Sequence, residues 1–146
     1  MTDDSLLLTP RLVDSLYTEA MLLTDEARAY FDCSGRDTRA QLAPLQRVGF
    51  SCEALRITTR LMCVVSWLLS QREAAFGNRY YDQDPPALGI AAPSDPSTCH
   101  DLPDEARALI RQSEDLYERI ARMDRQMRQL PTNPAHRMIA ELAQAF

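Results

Sequence analysis

The chain has 146 residues, 45% of them apolar, the size and composition of one domain that can bury a core without disulfides or a metal. Its formal charge of −5 argues against a general nucleic-acid binder, because affinity for the phosphate backbone needs surplus cations. All sixteen basic residues are arginine, which excludes lysine Schiff-base and amine-nucleophile chemistry and leaves forked donors suited to carboxylates.

The opening MTDDSLLLTPR has acidic leading residues and a short leucine run, the wrong charge and length for a secretory signal, so a cytoplasmic protein is expected. Thr9 before Pro10 predicts an N-cap followed by a first helical residue. From there Leu12, Val13, Leu16, Tyr17, Ala20, Leu23, Ala27, Tyr30 and Phe31 recur at three- and four-residue steps. This predicts a helix over 10–32, with Gly35 as its left-handed stop. A second helix is expected over 45–76, ended by Gly77 and Asn78. Its stretch 61–69, LMCVVSWLL, is too short to span a bilayer but apolar on nearly every side. It therefore calls for cover by two helices, and by a second subunit on any face they leave.

Pro85, Pro86, Pro93 and Pro96, with little periodicity around them, make 78–102 a long loop of poor order. After Pro103 a third helix is expected over 104–130, with Asp104 and Glu105 in its first turn and apolar residues at Ala106, Leu109, Ile110, Leu116, Tyr117 and Ile120. Pro131 and Pro134 break the pattern. The tail 132–146 places Met138, Ile139, Leu142 and Phe146 on one face but is too short to hold a helix alone. The expected fold is all-α: an antiparallel three-helix bundle in residues 1–131, with the Pro-rich loop before the third helix, forming a dimer.

Residues 1–33 hold seven acids and two arginines, and residues 34–77 three acids and six arginines, so the first two helices should attract. Arg56 and Arg60, one turn apart, are expected to meet Asp25 or Glu26 in antiparallel packing. Trp67, with Leu61, Val64 and Leu68, is expected in the core or at a subunit interface. Arg119, Arg122, Arg125 and Arg128 recur every third residue and form a basic stripe able to bind an acidic protein surface.

No arrangement of catalytic or ligand-binding residues emerges. His100 and His136 are far apart, no Glu-x-x-His pair occurs, and Cys33, Cys52, Cys63 and Cys99 show no CxxC spacing, so neither a metal nor a disulfide is expected. Cys99-His100 lies on the loop without an orienting scaffold. Four glycines with no GxGxxG or P-loop pattern argue against a nucleotide. No cofactor and no enzymatic activity are expected.

Residues 51–73, SCEALRITTRLMCVVSWLLSQRE, do carry a resemblance. Glu53, Arg56, Thr58, Thr59, Arg60, Leu61, Met62, Trp67, Leu68, Leu69, Gln71 and Arg72 match the central helix of the alphaproteobacterial family named for the regulator of CtrA degradation. Residues 15–32, SLYTEAMLLTDEARAYFD, are similar to that family's opening segment. The resemblance implies a dimeric three-helix bundle acting as an adaptor for the ClpXP protease in cell-cycle control. The implied partners are a ClpX-type unfoldase, a receiver-domain protein and protein cargo, with the tail 132–146 serving delivery. Two other functions fit the composition: a dimeric regulator that binds DNA or a receiver domain through the arginine stripe, and a sensor with a ligand cavity between helices.

Overall fold

The computed structural model describes residues 9–75 and 86–129, with Leu142 and Ala145 as isolated helical positions beyond them. The elements are α1 (Pro10–Ala29), a π turn (Tyr30–Ser34), α2 (Gly35–Ala40), α3 (Pro44–Ala75), α4 (Pro96–His100) and α5 (Asp104–Gln129), with no strand among the described residues. The tail assigned to delivery lies outside the described residues, apart from those two positions, as does 76–85 of the predicted loop.

Thr9 starts α1 as its neighbours predict: its backbone is extended and its hydroxyl accepts the Leu12 N–H at 3.2 Å. Val13, Leu16, Ala20, Leu23 and Ala27 form the buried face. Gly35 does not end the helix. Its φ is −70°, and the chain continues through the π turn and α2 as far as Ala40. The glycine serves a close approach, since a Cβ there would stand 2.7 Å from the Tyr30 carbonyl oxygen and 3.3 Å from Phe50 Cζ. The wide turn also sets Tyr30 and Phe31 against Phe50 on α3, the two Phe rings edge to face at 5.2 Å. Pro44 then opens α3, and the Gln46 side chain accepts the Ala43 N–H at 3.2 Å, one half of a capping box.

α1 and α3 run antiparallel: Arg72 pairs with Asp14 at 2.5 Å at one end, while Phe31 meets Phe50 at the other. α3 and α5 do not. Arg60 reaches Ser113 at 3.1 Å and Trp67 reaches Asp124 at 3.0 Å, so contacts climb both helices together and the pair is parallel. The expectation of an antiparallel arrangement throughout fails at this pair. A connection between parallel neighbours must travel back along them, and the 26 residues of α5 span about 39 Å.

Residues 86–95 make that return as an ordered strap. Over these residues this corrects the poor order expected of the loop, which short-range periodicity suggested because the strap's partners lie on distant helices. The core between the three long helices centres on Ile57, Val64, Leu68, Leu116 and Ile120.

Gly35→Ala separates propensity from packing. In an open helix the alanine would gain about 1 kcal/mol. Here it is expected to lose about 1–3 kcal/mol to the collision with Tyr30 and Phe50, read as a lower midpoint in urea unfolding.

Candidate functional site

α3 presents three faces at seven-residue spacing. Phe50, Ile57, Val64 and Gln71 are buried, with Leu61 and Leu68 beside them. Glu53, Arg60 and Trp67 form a second buried row beneath the strap and against α5. Val48, Leu55, Met62 and Leu69 form the third, and all four are exposed, Leu55 and Met62 by about two thirds.

The second row is polar and fully engaged. Glu53, 1% exposed, accepts the Ser94 hydroxyl at 2.5 Å and the Asp95 N–H at 3.1 Å, and pairs with Arg56. Arg60, 2% exposed, donates to the Ser94 hydroxyl at 2.5 Å, the Ala92 carbonyl at 3.4 Å and Ser113 at 3.1 Å. Ser94 thus relays between the buried cation and anion. Buried charges persist only when paired and hydrogen-bonded, and here the strap completes the set.

Further along the strap, the Tyr117 hydroxyl donates to the Gly89 carbonyl at 2.7 Å and accepts the Ala91 N–H at 3.3 Å. Asp124 accepts from Trp67 Nε1 and, at 3.4 Å, from the Leu88 N–H. Gly89 lies close to Cys63 where the strap crosses it: a Cβ would stand 3.0 Å from Sγ, and the thiol would have to shift to admit it. Asp95 finally caps α4, its carboxyl held below the usual range by hydrogen bonds from the Ser97 hydroxyl and N–H and from Thr98. Burial pushes the Cys99 thiol up, with Glu53 and Glu114 adding to the effect.

Leu55, Met62 and Leu69 of the exposed row line a groove of about 840 Å³ between α1 and α3. Its walls are mainly apolar, from Met21, Ala27 and Phe31 on one side and Leu55, Met62, Val65 and Leu69 on the other, with Arg28, Asp32 and Arg39 at one end. A contiguous apolar surface of this kind is a candidate interaction site. The stretch 61–69 is therefore covered on two sides by its own chain and open on the third.

Leu61, Val64, Trp67 and Leu68, expected in the core or at a dimer contact, all lie inside the protein, none more than 3% exposed. Arg56 and Arg60 do not meet Asp25 or Glu26. Both acids are exposed, and the arginines turn toward Glu53 and the strap, where buried acceptors hold them more strongly than surface carboxylates. The interhelical pairs are instead Arg72 with Asp14, the guanidinium also 4.8 Å over the Tyr17 ring, and Arg119 with Glu19.

Of the arginine stripe, Arg119 is engaged by Glu19, Arg128 by Asp124 at 3.3 Å and Arg125 by Glu118 at 4.0 Å, while Arg122 is exposed. The four cysteines are free thiols. Among the described residues no three His, Cys, Asp or Glu side chains gather as a metal site, and no helix is long and apolar enough to cross a membrane.

Glu53→Ala leaves Arg60 without its relayed anion and the strap without two of its acceptors. The variant is expected to lose about 3 kcal/mol in chemical denaturation. Alkylation of Cys99 by iodoacetamide, slow in the parent at neutral pH, should accelerate markedly, while that of exposed Cys33 stays unchanged.

Over residues 5–146 the chain matches the family model described as a protein of unknown function, DUF1465. In fold it is similar to the crystal structure of RcdA from Caulobacter crescentus CB15, with a TM-score of 0.59 and 34% sequence identity, covering 80% of this chain and 90% of that one. No curated protein sequence matches. With nearly its whole length matched by the family model and its fold shared with RcdA, the chain belongs to the DUF1465 family of RcdA-like helical proteins.

Proposed function

We propose that this chain is a non-enzymatic adaptor of regulated proteolysis, a cytoplasmic homodimer that helps deliver selected regulatory proteins to a ClpXP-type protease in cell-cycle control. The observation that carries the proposal is the exposed apolar row of Val48, Leu55, Met62 and Leu69, the last three of which line the α1–α3 groove. Such a surface holds another helix through regularly spaced anchors and performs no chemistry itself. The kinship with RcdA and the resemblance of the central helix to the regulator of CtrA degradation family support the same role.

The row runs along 22 residues, about 32 Å of helix, enough to seat a second copy or a helical cargo segment. Leu61, Val64, Trp67 and Leu68 act from inside, fixing the helix whose outer face makes the contact. Arg122, which has no partner among the described residues, is the stripe member most available to an acidic partner such as a receiver domain.

The test is reconstituted degradation of a short-lived regulator by ClpXP with a receiver-domain partner, with and without this chain. Addition of the parent is expected to accelerate degradation. The double variant Leu55→Glu, Met62→Glu should keep its helical circular dichroism, sediment as a monomer and deliver at least several-fold more slowly. A parent without effect sinks the adaptor role; a variant that still dimerises and delivers normally removes the apolar row from it.

A further inference from the structure

A second concavity, sharing no residue with the α1–α3 groove, lies between α4 and α5. It has a volume of about 420 Å³, with Ile110 on its wall and His100, Arg107 and Arg111 around it. Arg107 and Arg111 are one helical turn apart and so share a face of α5, while His100 ends α4. In a chain of net charge −5, three nitrogen donors from two elements around one pocket form a local exception.

These donors are not consumed by the fold. Arg107 pairs with Asp104 through one terminal nitrogen, yet its Nε is buried without a hydrogen-bond partner. Arg111 and His100 are exposed and have no partner among the described residues. Glu114 is the acid in the pocket wall and Asp104 pairs with Arg107 from outside it, two carboxylates against two guanidinium groups and an imidazole, with Arg111 the cation that has no carboxylate of its own among the described residues. The walls are also preformed: Asp95 caps α4, and the Glu53–Ser94–Arg60 relay holds the strap leading into it. An anion in the pocket can take the unsatisfied Arg107 Nε and the unpaired Arg111 guanidinium one turn away, and planar guanidinium groups match the geometry of an oxyanion.

The geometry points to an oxyanion-binding pocket at the α4–α5 junction, in which Arg107, Arg111 and His100 hold a phosphoryl or carboxylate group presented on a peptide side chain. The volume exceeds that of a bare anion and leaves room for the flanking residues of the peptide. The site is independent of the apolar groove and of any protease, so it stands whether or not the chain is an adaptor.

The experiment is nuclear magnetic resonance of the ¹⁵N-labelled full chain titrated with inorganic phosphate, with Ala-phosphoserine-Ala and with Ala-Glu-Ala. Saturable, concerted shifts at Arg107, Arg111 and His100 with either peptide are expected. The tighter of the two peptides identifies the group, and binding of free phosphate alone overturns peptide recognition. Arg111→Gln should weaken binding about ten-fold, whereas Glu114→Gln should tighten it, an opposition of sign that a structural role for these exposed residues would not produce. Unsaturating shifts that are equally large at Arg11 and Arg122, or unchanged affinity in Arg111→Gln, overturn the proposal.

Discussion

The parallel setting of α3 and α5 forces a return path onto the chain, and the return path must find partners for its own backbone. Ten residues crossing two helices carry N–H and C=O groups that cannot all face water. Glu53, Arg60, Tyr117 and Asp124 take the N–H groups of Asp95, Ala91 and Leu88 and the carbonyls of Ala92 and Gly89. A buried ionic set of this kind is a weak source of net stability compared with an apolar core of equal volume. Its effect is on register: Glu53 and Arg60 meet at the Ser94 hydroxyl, and a one-residue slip of the strap would put Pro93 or Asp95 there instead.

The same economy organises α3 as a whole. Seven-residue spacing repeats a buried apolar row, a buried polar row and an open apolar row around one helix. The first two rows immobilise the third. Leu55 and Met62 are displayed on a helix gripped along its length by Ile57, Val64 and Trp67, so a partner meets a backbone that is already ordered. The ordering cost of association then falls mostly on the partner.

The helices were legible in the sequence because the information is local. Thr9 and Pro10 mark a start that the structure keeps, and Asp104 opens α5 one residue after Pro103. Elements whose reason is distant were not legible. Gly35 looks like a stop to its neighbours, and only Phe50 and the wide turn at Tyr30 explain why the helix continues. Pro86, Pro93 and Pro96 look like disorder until Glu53 and Arg60, some forty residues earlier, supply the anchors for the chain between them. The partners of Arg56 and Arg60 were misassigned because charge balance between segments does not say which face each side chain occupies. The open row had a signal, the strict recurrence of Val48, Leu55, Met62 and Leu69, but it was masked by a stretch that is apolar on every side.

The strap also orders events in time. α1 and α3 are joined through α2 and a tight corner, so their antiparallel pairing closes a short loop and can form early. The strap has no surface to lie on until α5 is beside α3, and α5 meets α1 through a pair separated by a hundred positions, Glu19 and Arg119. Loop-closure entropy therefore favours the α1–α3 pairing over the docking of α5 and the strap as the first step of assembly.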